Sequence, residues 1–254
     1  MQHKQSEWHE QWSMLQDNEL FLFLDWIHPL TLDDFKGKTV LEAGCGGGQH
    51  TSFMAPYAQQ ITAVDLNAVD IAQKRNSSFK NIRFLEADIA TMDLKDQFDI
   101  IISIGVIHHT DDPDASVRNL IRHLKPGGGL ALWVYSREGN WLVEHMVEPA
   151  RKIFFRHLSR RVLLWISRII TAALYLPVYS LYLLPLPFLP YHAYFENFRR
   201  MSFYRNTTNV FDKLNAPQVQ LITRERALRW LSYASFKSSQ VTPSCPSIMR
   251  QMRI

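Results

Sequence analysis

Short apolar runs recur along the first half of the chain and are separated by segments with helical spacing. The runs occupy residues 40–41, 61–65, 82–88, 98–105 and 129–135. Before the last run, residues 114–124 place Val117, Leu120 and Leu124 on one side of a predicted helix. Strands that alternate with helices are typical of a parallel sheet with helices on both faces. The pattern therefore predicts a doubly wound α/β domain.

A glycine-rich loop follows the first predicted strand and contains Gly44, Gly46, Gly47 and Gly48. Such a loop lets the backbone approach a ligand closely, because glycine has no Cβ. Asp65 ends the second strand, where its carboxylate can accept hydrogen bonds from both hydroxyls of a ribose. Together these features predict a nucleoside-bearing cofactor at the edge of the sheet.

The spacing of the glycines distinguishes two classes of cofactor. A dinucleotide fingerprint, G-x-G-x-x-G, that starts at Gly44 would need a glycine where the chain has Gln49. The observed spacing is G-x-G-x-G, and Glu42 stands two residues before its first glycine. This arrangement resembles motif I of the class I S-adenosylmethionine (SAM) dependent methyltransferases.

Further motifs of that family follow in the family's order. Asp88 ends the third predicted strand, at the position where the family's acidic residue reaches the adenine amino group. The sequence Val-Ile-His-His at residues 106–109 resembles the V-L-H-H segment of the ubiquinone and menaquinone biosynthesis type of methyltransferase. The resemblance covers residues 37–136 and implies SAM as the cofactor.

The resemblance also implies which residues form the cofactor site. The expected members are Glu42, Gly44, Cys45, Gly46, Gly48, Asp65, Leu66, Asp88, Ile89 and Ser103. Glu42 is expected to hold the glycine loop or the cofactor amine and not to act as a base. No group of Cys and His residues has metal-ligand spacing, so no metal site is predicted.

The resemblance implies a Rossmann-like sheet of seven strands whose last strand is antiparallel. Residues 237–242 and 248–254 are predicted as the last two strands, joined by a turn at residues 243–246. A helix over residues 223–236, capped by Thr223, is predicted before them. The helical, apolar insertion of this chain falls between strands five and six.

Four segments follow from this organisation. They are an N-terminal helical segment at 1–36, a SAM-binding core at 37–137, the insertion at 138–209 and the C-terminal part of the sheet at 210–254. Residues 209–217 return from the insertion and could face the active site. Residues 6–29 are rich in aromatics, which either fold over the cofactor as a lid or pack against the sheet edge.

The insertion begins with a basic, amphipathic pattern. Lys152, Arg156 and Arg160 recur at every fourth residue, which predicts one basic helical face. An apolar line accompanies it and consists of Phe154, Leu158, Val162, Trp165 and Ile169. Residues 169–195 then contain no Asp, Glu, Lys or Arg.

Three interpretations of this insertion remain open. The uncharged run is long enough to span a bilayer core, but Pro177, Pro185 and Pro190 would leave backbone groups unpaired in hydrocarbon. A basic helix with a broken apolar segment is typical of an element at a membrane surface. The third interpretation is a soluble cap that buries its apolar faces and shapes the substrate pocket. Either of the last two implies a bulky or amphipathic acceptor.

Charge and cysteine content narrow the partners and the compartment. The formal net charge is +4, and the basic residues lie beside an apolar tract, which favours membrane phosphate over nucleic acid. Cys45 and Cys245 lie far apart, which indicates a reducing compartment. The polar amino terminus is unlike a secretory signal. The expectation is a cytoplasmic protein, or one that is peripheral at the inner face of the membrane.

Candidate catalytic residues follow predicted strands four and five. Methyl transfer needs an aligned, dry pocket, and a hydroxyl acceptor must also lose a proton to a base. His108, His109, Asp111 and Tyr135 are the candidates. Each also has a structural interpretation, such as a helix cap for the histidines, a turn for Asp111 or strand-end packing for Tyr135.

The acceptor class is narrowed by residues 103–106, Ser-Ile-Gly-Val. Enzymes that methylate amide or nucleobase nitrogens carry an Asn- or Asp-Pro-Pro-aromatic motif at this place. We therefore predict a SAM-dependent methyltransferase that acts at oxygen on a lipid-linked or amphipathic acceptor such as a surface-glycan intermediate. The alternatives are an isoprenoid-quinone or other small-molecule acceptor and, from another class, a non-catalytic SAM-binding regulatory protein.

Overall fold

A computed structural model describes residues 6–14, 19–186, 188–236, 241–244 and 251–253. Its strands are β1 (Thr39–Ala43), β2 (Gln60–Asp65), β3 (Ile82–Glu86), β4 (Phe98–Ile104), β5 (Leu124–Tyr135), β6 (Thr242–Ser244) and β7 (Gln251–Arg253). The order across the sheet is β3-β2-β1-β4-β5-β7-β6. Strands β1 to β5 are parallel, whereas β7 is antiparallel to β5 and β6. The parallel core confirms the predicted fold class.

Ten α-helices are assigned within these described residues. They are α1 (Ser6–Met14), α2 (Leu20–Ile27), α3 (Gln49–Met54), α4 (Val69–Arg75), α5 (Pro113–Arg122), α6 (Glu148–Ile153), α7 (Arg160–Val178), α8 (His192–Arg200), α9 (Phe203–Asn215) and α10 (Arg224–Leu231). Short 3-10 turns cover Leu32–Phe35, Ile107–His109, Phe155–His157 and Leu181–Leu183, and a π turn covers Val143–Val147. Thr223 caps α10 as predicted, since its hydroxyl accepts the N–H of Arg226 at 3.1 Å.

Two apolar layers cover the two faces of the sheet, because neighbouring residues of a strand point to opposite sides. Leu41 and Ile101 face the layer that includes Val117 and Leu120 of α5 and Trp230 of α10. The opposite layer contains Val40, Ile61 and Ile100, together with Phe23 of α2 and Met54 of α3. The sheet order reverses between β1 and β4, which opens a crevice at their carboxyl ends.

Several predicted boundaries differ from the structure. β5 begins at Leu124, before the predicted start at residue 129, because it already pairs with Phe98 ahead of a register shift. β3 ends at Glu86, so Asp88 lies in the turn that follows the strand. Helix α10 ends at Leu231, short of the predicted residue 236.

The C-terminal hairpin also differs from the prediction. Pro243 and Ser244 belong to β6 and not to the predicted turn, because they pair with β7. Residues 237–240 and 245–250, which carry the rest of these predictions and Cys245, lie outside the described residues, as does Leu15.

The insertion does not form the predicted continuous basic helix. Helix α6 ends at Ile153, and α7 begins at Arg160 behind a cap in which Ser159 accepts the N–H of Val162. Lys152, Arg156 and Arg160 therefore lie on three separate elements and share no helical face. The predicted insertion boundary at residue 209 falls inside α9.

The apolar line of the insertion faces outwards. Phe154, Val162, Trp165 and Ile169 are 45 to 66% exposed. The opposite side of α7 is buried through Leu163, Ser167 and Thr171, and it packs against Val210, Phe211 and Leu214 of α9. Arg160 joins α7 to the N-terminal segment through ion pairs with Glu7 and Glu10 of α1.

Helix α7 is, within the described part of the chain, the one helix long and apolar enough to cross a membrane by length and composition. Only 22% of its apolar window is buried inside the protein. Core helices of soluble proteins satisfy the same two criteria, so this observation on its own does not separate the three interpretations of the insertion.

Candidate active site between the sheet and the insertion

Three positions of the glycine loop have backbone angles and close neighbours that only glycine tolerates. Gly44, Gly46 and Gly48 have φ values of 84°, 50° and 76°, in the left-handed region that favours glycine. A Cβ on Gly46 would lie 2.5 Å from the indole of Trp12, and one on Gly48 would lie 2.5 Å from the Asn76 amide. Glycine is therefore required at these positions both by the backbone angles and by the side chains that pack against the loop.

Asp65 ties this loop to the tip of β2. Its Oδ2 accepts the N–H of Gly46 at 2.9 Å, and its Oδ1 accepts those of Asn67 at 2.7 Å and Ala68 at 3.0 Å. Burial raises the pKa of Asp65, although the three amide donors favour the charged form. The acid therefore stands at the expected strand end, and its contact with a ribose remains a prediction.

Glu42 lies beneath the loop in a buried position. The hydroxyl of Thr51 donates to its Oε2, while its Oε1 has no hydrogen-bond partner among the described residues. Burial raises the pKa of Glu42 to about 8, and Nδ1 of His50 is 3.8 Å from Oε1. The bond to α3 fits the predicted role of holding the loop, and the unmet acceptor fits a site for a donor group such as a cofactor amine.

The other predicted cofactor residues lie around the same strand ends. The N–H of Cys45 donates to Val64 O at 2.9 Å, and the hydroxyl of Ser103 donates to Ala43 O at 2.7 Å. Oδ1 of Asp88 accepts the N–H of Ala90 at 2.9 Å. Ile89 is buried and Leu66 is half-buried. The loop and strand-end acids thus fit a SAM site, although the Ser103 hydroxyl is used within the sheet.

A cavity of about 180 Å³ opens beside the loop at the carboxyl ends of β4 and β5. Its aromatic walls are Trp8, Trp12, Trp26, Phe53, Trp133, Tyr135 and Tyr194. The N-terminal segment divides between its two interpretations: Trp8 and Trp12 of α1 cover the cavity, whereas Phe23 and Ile27 of α2 are buried against the sheet. The cavity is therefore closed on one side by α1 and on another by the insertion.

His109 is the candidate base that lines this cavity. Its Nδ1 is 2.7 Å from the carbonyl oxygen of Gln218, which can only accept a hydrogen bond, so the proton of the neutral ring is on Nδ1 and the basic lone pair is on Nε2. Burial lowers the pKa of His109, while the nearby Asp212 carboxylate acts in the opposite direction. The imidazole is therefore neutral at neutral pH.

His108 and Asp111 are placed outside the cavity lining. His108 is fully buried, its Nδ1 accepts the N–H of Tyr135 at 3.3 Å, and burial lowers its pKa well below the ordinary value. The carboxylate of Asp111 accepts a hydrogen bond from Gln218 at 2.9 Å. Both residues therefore support the position of neighbouring segments.

Tyr135 presents its hydroxyl 3.4 Å from Oδ2 of Asp212. Burial, together with the Asp212 carboxylate, raises the pKa of Tyr135 well above its ordinary value. Its phenol therefore remains protonated at neutral pH. It can donate a hydrogen bond but is not a proton acceptor.

Residues of the insertion that the sequence did not single out complete the cavity. Asp212 of α9 accepts a hydrogen bond from Nε2 of Gln11 at 2.7 Å, and Lys213 lies with its ammonium 5.7 Å from the ring of Tyr194. Burial lowers the pKa of Lys213. The only available signal was that residues 209–217 could face the active site, and Asn209, Asp212 and Lys213 do line the cavity. Among the described residues, no group of three acids, histidines or cysteines could hold a metal ion.

Several known proteins are similar to part of this chain. The methyltransferase domain family matches residues 41–132. The chain is 32% identical over 145 residues to a ubiquinone biosynthesis O-methyltransferase of Idiomarina loihiensis. The aligned part covers 55% of this chain and 50% of that enzyme. It is 33% identical over 100 residues to the enzyme of the same name from Coxiella burnetii, covering 37% and 42% respectively.

Among solved structures, the N-methyltransferase NodS from Bradyrhizobium japonicum WM9, in complex with S-adenosyl-L-homocysteine, is similar with a TM-score of 0.45 and 21% identity. That match covers 52% of this chain and 74% of NodS. The chain spans half or less of the length of the first curated relatives that it matches.

The glycine spacing, the acids at the ends of successive strands and the domain match over residues 41–132 agree with one another. Each concerns the same half of the chain, and SAM is the cofactor that they have in common. Residues 41–132 therefore form a methyltransferase domain, and SAM is the cofactor that its motifs indicate.

Proposed function

We propose that this protein transfers a methyl group from SAM to a hydroxyl oxygen of an amphipathic acceptor. The observation that carries the proposal is the position of His109, which lines the cavity beside the glycine loop with its proton held on Nδ1 by Gln218. A base at this place is what a hydroxyl acceptor requires and what a regulatory SAM-binding protein would not need.

The described residues suggest how proton and methyl transfer are coupled. Bound SAM supplies a methyl group activated by the positive charge on its sulfur. Nε2 of His109 accepts the proton of the acceptor hydroxyl while the oxygen forms its bond to the methyl carbon. The carbon–sulfur bond breaks at the same time, and its electron pair stays on sulfur. Asp212 stabilises the imidazolium that results, and Tyr135 donates to Asp212.

The lining of the cavity supports an acceptor with a ring and several polar groups. Trp26, Trp133 and Tyr135 provide faces on which an aromatic or sugar ring can pack, while Asn197 and Arg205 provide polar atoms. Two acceptor classes meet this description. One is a lipid-linked saccharide, as the polar lining and the apolar insertion suggest, and the other is a prenylated phenol.

The names of the curated relatives favour the second class. Several of them are ubiquinone biosynthesis O-methyltransferases, and their match is confined to a part of each chain. The insertion that walls the cavity in this protein lies after the matched residues 41–132. The relatives therefore support oxygen as the acceptor atom more strongly than they support any one acceptor.

We further propose that the insertion rests on the cytoplasmic face of a membrane. The exposed face of α7 carries Val162, Trp165, Ile169 and Leu176, the last of which is 78% exposed. Arg161 and Arg168 are exposed on the same face and lie along one edge of this apolar stripe. Apolar side chains flanked by arginine are suited to dipping into an anionic lipid surface.

Incubation with methyl-labelled SAM tests the proposal most directly. One arm contains a lipid extract of bacterial envelopes, the second a prenylated catechol, and the third RNA and protein from the same cells. Label in the first or second arm supports the corresponding acceptor class. Label only in the third arm, or SAM binding without transfer in any arm, contradicts the proposal.

A further inference from the structure

A second cavity lies behind the first, between α7, α9 and the end of α1. Its volume is about 280 Å³, and it is lined by Met14, Leu164, Arg168, Phe203, Tyr204, Thr207, Thr208 and Phe211. Most of these side chains are apolar. A site of this size is larger than an engineered apolar cavity of about 150 Å³ that stays dry and binds benzene.

Thr208 lines both cavities, so the two are neighbours on either side of this residue of α9. Its hydroxyl already donates to the carbonyl oxygen of Tyr204 at 3.1 Å. Thr207 is bonded in the same manner to Phe203 O at 2.9 Å. The two threonines therefore demand no polar partner from a ligand, which makes the junction suitable for a hydrocarbon chain.

The far end of this second cavity reaches the surface beside the exposed face of α7. Phe203 and Tyr204 are 43% and 41% exposed, and Arg168 is exposed between them and the apolar stripe. The guanidinium of Arg168 lies 5.1 Å from the centre of the Trp165 ring, and Trp165 itself is 63% exposed. The charge of Arg168 is thus at the surface, where the proposed membrane contact would lie.

We infer that the second cavity binds the apolar chain of the methyl acceptor, whose reactive head lies in the first cavity near His109. The inference rests on the proposed function for the identity of the head. It adds that the acceptor is a single-chain amphiphile, which enters from the lipid side of α7 and passes Thr208. An apolar chain is the occupant committed to, because most side chains of the second cavity are apolar and the cavity opens beside the exposed apolar face of α7.

Binding of amphiphiles of increasing chain length tests this inference in the full chain. cis-Parinaric acid serves as the fluorescent probe, and n-alkyl glucosides of increasing length, each below its micelle concentration, displace it. We expect affinity to rise about fourfold for each added methylene and then to level off when the cavity is filled. Affinity that does not depend on chain length would overturn the inference.

Two tryptophan substitutions on α7 localise the effect. Leu164→Trp fills the second cavity and is expected to abolish the dependence on chain length. Leu176→Trp, at an exposed position of the same helix, is the matched control and should retain it. SAM affinity, measured by calorimetry, should be unchanged in both, which shows that Leu164→Trp still folds. Length-dependent binding that persists in a folded Leu164→Trp protein would contradict the assignment of the cavity.

Failure of this inference differs from failure of the proposed function. Methyl transfer with no chain-length dependence of probe binding would leave the methyltransferase proposal standing and remove the tail site. Length-dependent binding that Leu164→Trp abolishes, together with no transfer to any lipid, would support the tail site and remove the proposed reaction.

Discussion

The candidate active site has two sides of different origin, one at the glycine loop and one at the cavity wall formed by the insertion, and they differ in how their residues are held. On the sheet side, Gly46, Asp65 and Glu42 are fixed by backbone hydrogen bonds and by burial within the α/β core. On the insertion side, Tyr194 is presented by α8 and Asp212 by α9, which packs against α7, the helix with the exposed apolar face. The first side has the general features of the family's cofactor site, while we expect the second to determine which acceptor this chain can methylate.

The difference shows that a conventional cofactor site can be combined with an acceptor site that has no matching motif. The sheet side needs particular φ angles and strand ends, which few residue types can supply. The insertion side needs only a suitable shape and a few polar atoms, which many sequences can supply. Changes to the two sides are therefore expected to affect different measurements.

The largest effect is expected where the two sides meet, at His109. His109→Asn keeps an amide that can donate to Gln218 O but removes the basic nitrogen, so kcat/KM should fall by about 10²- to 10⁴-fold. Labelled transfer to the accepted substrate measures this loss, and calorimetry should show unchanged SAM affinity. Asp111→Asn, outside the cavity, is the control. Full activity of His109→Asn would remove the proposed base.

Much of the sheet side could be predicted from the sequence because its signals are local. Gly44, Gly46 and Gly48 have the positive φ values that a glycine loop implies, and Asp65 stands at the end of β2. Prediction was less accurate for Asp88, since the apolar run that ends there extends past the last paired residue, Glu86. Strand ends depend on partners that are distant in sequence, so the run alone could not place them.

The insertion could be predicted only in outline. Lys152, Arg156 and Arg160 stand at every fourth residue, which predicts one basic helical face. In the structure, however, Ser159 caps a new helix that begins at Arg160. The line from Phe154 to Ile169 is apolar and is still exposed, whereas the side of α7 with Leu163, Ser167 and Thr171 is buried against α9. Which stripe of such a helix is buried depends on the neighbour, and the sequence does not name the neighbour.

On the sheet side, Asp65→Ala should weaken SAM binding by about 10²-fold. The substitution removes a charged acceptor of three backbone N–H groups and of the expected ribose hydroxyls, and hydrogen bonds to a charged group contribute about 1.5–3 kcal/mol each. Calorimetry with SAM and with its demethylated product measures the effect. Asp93→Ala, at an exposed acid, is the control, and equal affinity of both variants would disprove the role of Asp65.

The glycine loop itself can be tested by a matched pair of alanine substitutions. Gly46→Ala places a Cβ against Trp12 at a φ of 50°, so we expect a loss of about 1–3 kcal/mol in stability, in SAM binding or in both. Gly129→Ala, where a Cβ meets nothing within 4 Å, should change neither by much. Thermal unfolding with and without SAM separates the two effects. If both variants behaved alike, glycine would not be required at residue 46 of the loop.

The pH dependence of kcat/KM tests the protonation state of His109. The base must be neutral to act, and burial lowers the pKa of His109, so activity should persist as pH falls and be lost only below the ordinary histidine value near 6.5. On the acidic side of the pKa of His109, kcat/KM should fall about tenfold for each pH unit. A limb well above pH 6.5 that is absent from His109→Asn would show that the Asp212 carboxylate outweighs the effect of burial on the pKa of His109.

The smallest effect is expected on the outer surface of the insertion. Arg161→Ala should weaken binding to anionic vesicles by about fivefold, because each arginine near such a surface contributes about 1 kcal/mol. Arg122→Ala, at an exposed position of α5, is the charge-matched control and should leave vesicle binding unchanged. Cosedimentation at low and at high salt measures both, and neither variant should alter SAM affinity. If Arg122→Ala weakened binding as much as Arg161→Ala, attraction would follow net charge, and the exposed stripe of α7 would then be only the outer face of a soluble cap.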